Sequence, residues 1–586
     1  MCFLFHSLYA ILKSISNSLE VAELEQRRRP MPVGIDDFKK LREEGYYFVD
    51  KTRFIKDFLD GHSNVTLITR PRRFGKTLTL SMLQYFFTMV KAEENRALFH
   101  GLDIETSGER YMREQGTRPV LFLTLKDAHS NTFSSMMIKV SELLRQLYSR
   151  FSYLSESGSL SVQDREYFMS ILQGTCTAEN MQFSLSNLIQ FLEKHHHRQP
   201  ILLLDEYDAP ILSAWEKGYY SECVDFMRGF LGIALKTNLS LDFAVLTGVA
   251  RISKESIFSG LNNLDVCSVL SDTYSDAMGF TQEEAVKLMA DCGVEDKLTD
   301  LKRWYDGYRF GKKDIYNPWS VINFVRHGCE FRPYWLNTSG NAILHELLER
   351  VDSRRKRELE GLLQGKSVNA PVMENIVYSD IRNSRDALFM MLMTTGYLKP
   401  VEIWKESDYT EWAKLEIPNA EVRMAYRKEI LGSIVPSQGE SLLRDMLHSM
   451  TSGDLDGFSE NLSALLQDFV SYHDAAQPES FYHGFILGLS VLMSGSYRVE
   501  SNRESGYGRF DIAFFPLQPS NPGVILELKA AKSEDELEAK AREALSQIED
   551  KAYGAELSKQ VVKEIWTYGI SFCGKKVWMD MGQEKQ

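Results

Sequence analysis

The sequence predicts an α/β fold built on a mostly parallel sheet, followed by a second, smaller α/β region. Three observations predict it. Between residues 65 and 246 short apolar runs alternate with long helical stretches, a pattern that gives parallel strands with helices on both faces. Val65-Thr-Leu-Ile-Thr-Arg-Pro-Arg-Arg-Phe-Gly-Lys-Thr77 reads as a buried strand, a tight loop, Gly-Lys-Thr and then a helix. Ile201-Leu-Leu-Leu-Asp-Glu206 is an apolar run ending in two acids, which suits a central strand buried on both faces.

The elements follow in order. Residues 31–60 form a lead-in, with a helix over Asp36–Glu44, a short strand at Tyr46–Val49 and a helix at Thr52–Leu59. Strands are expected at Val65–Thr69, Val120–Leu125, Ile201–Leu204 and Leu241–Leu246. The helices are Leu78–Val90, Ser134–Phe151, Ala178–His195 and Tyr220–Asn238. Thr281-Gln-Glu-Glu284 has the form of a helix start, and Asn317-Pro318 starts another. The aromatics of Trp304–Gly311 and Ile315–Ser320 could stack on bases, but they read better as a packed cluster under a loop. Arg354–Arg357 reads as a solvated basic helix face. In residues 386–430 a helix (Ala387–Thr395), a turn at Gly396 and a returning strand (Lys414–Ile417) look like a winged helix, and residues 440–475 are helical. The expected divisions are an extension at 1–30, the first α/β domain at 31–275, a helical lid at 276–375, a winged-helix-like and helical region at 376–475, and the last domain at 476–586.

The first chemistry is phosphate binding. A nucleoside triphosphate needs converging backbone N–H groups, a lysine for the β/γ charge and a hydroxyl for Mg²⁺. Gly75 allows close backbone approach, Lys76 supplies the charge, Thr77 the hydroxyl, and the helix beginning near Leu78 its dipole. Asp205 can hold the metal's water shell and Glu206 can polarise an attacking water. Arg70 stands where the G-x-x-x-x-G-K-T pattern has glycine. Thr247 and Arg251 end the fourth strand, where such sheets bind ligands. They suit a γ-phosphate contact, or in the case of Arg251 a neighbouring subunit's nucleotide, which leaves a homo-oligomer open. An equally open reading makes them a turn and a surface charge.

The second chemistry lies in the tail. Gly508–Phe515 and Val524–Lys529 form a hairpin that sets Asp511 beside Glu527, with Glu527 and Lys529 on one face. Two carboxylates and a carbonyl can hold Mg²⁺, and Lys529 can orient a water toward a phosphodiester. Gln547, on an amphipathic helix expected at Asp535–Tyr553, can reach the site. The alternative is an edge hairpin whose charged residues face solvent.

Whole-chain properties bound these readings. The 586 residues carry a net charge of −13, so any nucleic-acid contact needs a local surface rather than bulk attraction. From residue 481 on, 13 basic residues nearly balance 15 acidic ones, which permits such a contact. Seven scattered cysteines argue against a disulfide framework or zinc cage and for a reducing, cytoplasmic setting. No apolar run reaches the ~18 residues of a membrane helix, so stable membrane association is not expected. Met1–Leu12 is a poor signal peptide; it reads either as an amphipathic helix or as an extension ahead of a start at Met31.

Taken together the motifs resemble the bacterial AAA-ATPase-like family with a PD-(D/E)XK nuclease-superfamily domain at its C-terminus. The resemblance rests on Gly34–Phe38 with Tyr47–Thr52, Thr69–Thr77, Leu204-Asp-Glu-Tyr-Asp-Ala-Pro210, Leu246–Val249 with Ile257–Asn263, Phe481–Phe485, Ser501–Asp511 and Glu527-Leu-Lys529. In that family an arginine at the Arg70 position is normal. The resemblance implies a P-loop ATPase that uses ATP and Mg²⁺, with nucleotide roles for Lys76, Thr77, Asp205 and a catalytic Glu206; Arg70, Arg72, Arg73, Phe74, Gly75, Leu78, Thr247 and Arg251 are expected around the same nucleotide. It further implies a restriction-endonuclease-like tail acting on nucleic acid through Asp511, Glu527 and Lys529, with Glu479 as a third metal acid. The Gln-x-x-x-Tyr pattern of related nucleases is broken here, since Lys551 follows Gln547 at that spacing. A rival reading keeps the nucleotide switch and makes the tail an inactive relic that only binds nucleic acid.

Overall fold

The computed structural model describes residues 29–251 except 237, then 258, 263–335, 358–373 except 360 and 364, and 384–426 except 408 and 409. It also describes residues 440–469, 482, 486, 493, 496–518 except 506 and 507, 520–550, 562 and 564–585. Glu479 and residues 1–28 lie outside the described residues. The chain divides into two compact units, residues up to 340 with 369–422, and residues 341–368 with 423 onward.

In the first unit, the lead-in helices α1 (Phe38–Glu43) and α2 (Arg53–Gly61) precede strand β1 (Val65–Thr69). Then come α3 (Lys76–Phe87), β2 (Val120–Thr124), α4 (Phe133–Ser149), α5 (Ser184–His196), β3 (Ile201–Asp205), α6 (Ala209–Lys217), α7 (Tyr220–Leu235), β4 (Ala244–Gly248) and β5 (Leu264–Cys267). The sheet runs β2-β3-β4-β1-β5, and every pairing is parallel. Burial follows this order. The central strands β1, β3 and β4 are buried at every residue, whereas the edge strands β2 and β5 are partly open. Continuous apolar runs form central strands because both of their faces are covered.

Several expectations are corrected. Tyr46–Val49 is not a strand, because the Tyr46 and Tyr47 N–H groups donate to the Leu41 and Pro30 carbonyls rather than to a ladder. The fourth strand starts later than Leu241, because the N–H groups of Leu241 and Asp242 go to Asn238 and Pro200. The helix expected over 178–195 breaks into Ala178–Met181 and Ser184–His196. β5 has no counterpart in the sequence reading.

Beyond the sheet, α8 (Gln282–Asp291) begins with a full capping box between Thr281 and Glu284. α9 (Leu298–Tyr305) leads into the two-stranded hairpin of β6 (Tyr308–Phe310) and β7 (Lys313–Ile315). α10 (Pro318–Arg326) starts with Pro318 in its first turn, and Asn317 accepts the Trp319 and Ser320 N–H groups. α11 (Arg385–Thr394) is followed by the antiparallel hairpin of β8 (Lys399–Ser407) and β9 (Thr410–Glu416). The aromatics of this region are a packed cluster: Phe331 stacks on Trp304 and Phe324, and Tyr305 meets Trp304 tilted and Phe324 edge-on.

In the second unit, α12 (Glu440–Ser452) and α13 (Leu455–Phe469) pack on a mixed sheet. Its strands are β10 (Tyr497–Ser505), β11 (Gly508–Pro516), β12 (Gly523–Ala530), β13 (Glu564–Cys573) and β14 (Lys576–Lys585), in that spatial order. Only β12 and β13 pair in parallel, because α14 (Leu537–Asp550) crosses between them. Gly569 on β13 permits this crossover to pack closely: a Cβ there would lie 2.2 Å from the Ala541 carbonyl of α14.

One buried acid of the first unit gives a pH test. Glu421 is fully buried, accepts the Ser320 hydroxyl at 2.7 Å and the Trp335 N–H at 2.6 Å, and burial pushes its carboxyl up from 4.5 to about 7. The folded state therefore keeps a proton that the unfolded chain releases, so this stability is full below pH 4.5 and is lost as pH rises through about 7. Urea denaturation from pH 5 to 8 should show wild type losing on the order of 3 kcal/mol more than Glu421→Gln.

Candidate active sites

The phosphate loop begins at the end of β1. The Arg70 N–H donates to the Gly248 carbonyl at 3.1 Å, so the loop leaves the sheet still tied to β4. Gly75 has φ +87°, a left-handed conformation that suits glycine, and its carbonyl accepts the Thr79 N–H at 2.9 Å to start α3. The Lys76 ammonium folds back over the loop and donates to the Arg70 carbonyl at 3.0 Å and the Pro71 carbonyl at 2.9 Å.

Asp205 gathers the site. Its Oδ2 accepts the Thr77 hydroxyl at 2.7 Å and its Oδ1 accepts the Thr247 hydroxyl at 2.6 Å. The structure thus brings Lys76, Thr77, Asp205 and Thr247 together at the carboxyl ends of β1, β3 and β4. Glu206 follows with φ +49°, a left-handed conformation uncommon for a residue with a side chain. Burial pushes its carboxyl up, against the pull of the Lys76 charge, and Asp205 and Asp208 push it up further. Burial pushes the Lys76 ammonium down, opposed by Glu206, Asp205 and Asp208. An acid of raised proton affinity at the carboxyl end of a central strand is suited to taking a proton from water.

The other residues expected at the nucleotide have contacts of their own. The Arg70 guanidinium is fully buried and donates to the Thr69, Cys267 and Tyr274 carbonyls at 2.8, 2.9 and 2.9 Å. It also lies 4.7 Å from the Phe310 ring. Burial pushes it down to about 10. Its side chain therefore joins the loop to β5 and the segment beyond it rather than facing phosphate. Arg73 stacks 4.2 Å over the Trp319 ring, and Phe74 wedges between Tyr308 and Phe310. Leu78 packs with the aromatic core under the sheet, and Arg251 is half-buried just past β4. The Arg72 carbonyl accepts the Trp335 indole N–H at 3.2 Å.

Sequence reasoning missed three residues. Trp335 braces the loop, and the buried pair Tyr207 and Asp208 holds the segment after β4. The acid three positions after Asp205 was a visible signal for Asp208, but next to Ala209-Pro210 it reads as an ordinary helix cap.

In the second unit the tail hairpin forms. β11 and β12 are antiparallel with Ile512 opposite Leu526, and the ladder stops there. The reason is local: the Leu528 N–H donates to the Asp511 carboxylate at 2.8 Å instead of to a main-chain carbonyl. This seats Asp511 next to the strand residue that follows Glu527. Glu527 is buried, its Oε1 lies 3.8 Å from the Lys529 ammonium, and it accepts the Gln547 amide from α14. Two carboxylates, one of them buried, with strand carbonyls beside them are the hard oxygen donors that Mg²⁺ prefers, so the residues fit that ion. In the first unit the Thr77 hydroxyl and Asp205 fit it likewise. Among the described residues no cluster of three or more His, Cys, Asp and Glu side chains is placed to hold a metal, and no helix is long and apolar enough to cross a membrane.

Comparison with known proteins gives one family match in each unit. A family described as "Predicted AAA-ATPase" matches residues 32–258, and one described as "PD-(D/E)XK nuclease superfamily" matches residues 477–581. The chain carries an AAA-ATPase-like domain and a PD-(D/E)XK superfamily domain. It is also similar to an "Uncharacterized protein in vnfD 5'region" of Azotobacter chroococcum mcd 1, 27% identical over 542 residues that span 90% of this chain and 93% of that one. The phosphate loop, Asp205 and Thr247 lie inside the AAA-ATPase-like match, and Asp511, Glu527, Lys529 and Gln547 lie inside the PD-(D/E)XK match.

The buried arginine of the AAA-ATPase-like domain makes a stability test. Arg70→Met strips three buried carbonyls of their donor and should destabilise the first unit by about 3 kcal/mol or more, measured as a shift in its urea midpoint.

Proposed function

We propose that this protein binds and hydrolyses ATP with Mg²⁺ in its first unit, and that this activity governs Mg²⁺-dependent cleavage of nucleic acid by its second. The observation that carries the reading is the convergence of the Thr77 and Thr247 hydroxyls on the Asp205 carboxylate beside Lys76. In this reading Lys76 swings from the Arg70 and Pro71 carbonyls to the β- and γ-phosphates. The Gly75–Leu78 turn offers backbone N–H groups, and Thr77 and Asp205 hold the ion. Glu206 takes a proton from the attacking water. Mg²⁺ when bound neutralises phosphate charge in the first unit and polarises the phosphodiester in the second. In the second unit Asp511 and Glu527 hold the ion, Gln547 fixes the Glu527 carboxylate, and Lys529 orients the water. Nucleic acid is the partner of this second site.

Two experiments test the reading. Lys76→Ala should abolish ATP hydrolysis and weaken nucleotide binding, while Glu206→Gln should keep binding and lose about 100-fold or more in kcat; full hydrolysis in Lys76→Ala would remove the ATPase assignment. A DNA and RNA panel with Mg²⁺ or Mn²⁺, with and without ATP, should be cut by wild type and not by Glu527→Ala or Lys529→Ala. Cutting that ignores ATP would separate the two activities. No cutting under any condition, with hydrolysis intact, would leave a nucleotide switch with a binding-only tail.

A further inference from the structure

We infer that Asp208 is a positioning residue for hydrolysis, one that locks the segment after β4 onto the turn carrying Glu206; the inference rests on the ATPase reading of that site. Asp208 precedes α6, where an aspartate ordinarily accepts an N–H of its own helix. Here its side chain makes no such cap. The buried carboxylate instead crosses to the next strand's loop and accepts the Val249 N–H at 2.7 Å and the Ala250 N–H at 3.1 Å. Burying a carboxylate costs free energy unless hydrogen bonds replace its water, and those bonds are supplied by one particular loop conformation.

Tyr207 makes the same connection from the other side. Its N–H donates to the Thr247 carbonyl at 3.1 Å, and its hydroxyl to the Ala250 carbonyl at 2.7 Å. Gly248 lies inside this clasp. A Cβ there would stand 2.7 Å from the Tyr207 ring and 2.8 Å from the Asp208 carboxylate, so the two segments meet at a distance that excludes any side chain. The Gly248 carbonyl in turn accepts the Arg70 N–H at the mouth of the phosphate loop.

The left-handed turn at Glu206, the Thr247 hydroxyl and the first residue of the phosphate loop are therefore one mechanical piece. Asp208 touches none of the reacting atoms in this arrangement. It fixes where Glu206 sits relative to Thr247, and hence where a water between Glu206 and the γ-phosphate would lie.

The test uses the full chain with Asp208→Ala, Asp208→Asn and Gly248→Ala, and reads amide hydrogen exchange, ATP affinity and steady-state hydrolysis. Asp208→Ala should speed exchange across residues 246–251, keep ATP affinity within about 3-fold and lower kcat by about 10- to 100-fold. Asp208→Asn, which keeps an acceptor oxygen, should recover most of the rate. Gly248→Ala, which forces the clasp apart while leaving Asp208 in place, should reproduce the kcat loss. Unchanged exchange in Asp208→Ala would overturn the clasp itself. Faster exchange with an intact kcat, or a loss of affinity equal to the loss of kcat, would overturn the positioning role. A wild type that binds but never hydrolyses ATP would remove the ATPase reading and the positioning role with it, while the exchange data would still establish or refute the clasp.

Discussion

The carboxylate of Asp205 is the point on which the first unit's site depends. A carboxylate has two oxygens and can accept several donors at once. Here one oxygen holds the hydroxyl of Thr77 from α3 and the other that of Thr247 from β4. The strand order makes this possible. β4 lies between β1 and β3, so Thr247 near the end of β4 stands between the loop that follows β1 and the acid that ends β3. Three separate stretches of chain are thereby held in register at the carboxyl edge of the sheet, where open parallel sheets bind ligands.

The phosphate loop needs support beyond its glycine. Arg73 and Gly75 both have positive φ, and for Arg73 that conformation is unfavourable. It persists because the surroundings over-determine it. Arg73 stacks on Trp319, Phe74 is wedged between Tyr308 and Phe310, and Trp335 grips the Arg72 carbonyl. Trp335 is held by Glu421 and packs on Tyr397. Trp319, Tyr308, Phe310 and Trp335 thus form a collar for the loop, and the buried Arg70 ties the same loop to the edge strand β5.

The second unit solves a similar problem with fewer parts. A carboxylate replaces a main-chain acceptor at the end of the β11–β12 ladder, which brings Asp511 to the strand that carries Glu527. The crossover helix α14 lies close on β13 because Gly569 has no side chain, and this closeness lets Gln547 reach Glu527. Packing and chemistry are coupled here through one backbone contact.

The sequence by itself determined the parts whose signal is local. The apolar runs of β1 and β3, the Gly-Lys-Thr turn, the caps at Thr281 and Asn317 and the hairpin joining Asp511 to Glu527 all follow from spacing, side-chain alternation and turn chemistry. What the sequence left open is choice of partner. β5 is four residues long and half open, and only its pairing with β1 makes it a strand. Tyr46–Val49 has a strand's composition, yet its first two N–H groups go to Leu41 and Pro30. Arg70 reads as a departure from the loop pattern and Asp208 draws no role until the carbonyls of Cys267 and Tyr274, and the N–H groups of Val249 and Ala250, arrive from distant parts of the chain. Local spacing sets which residues share a face. Which buried donor meets which acceptor depends on elements far away in the chain, and only the tertiary structure decides that.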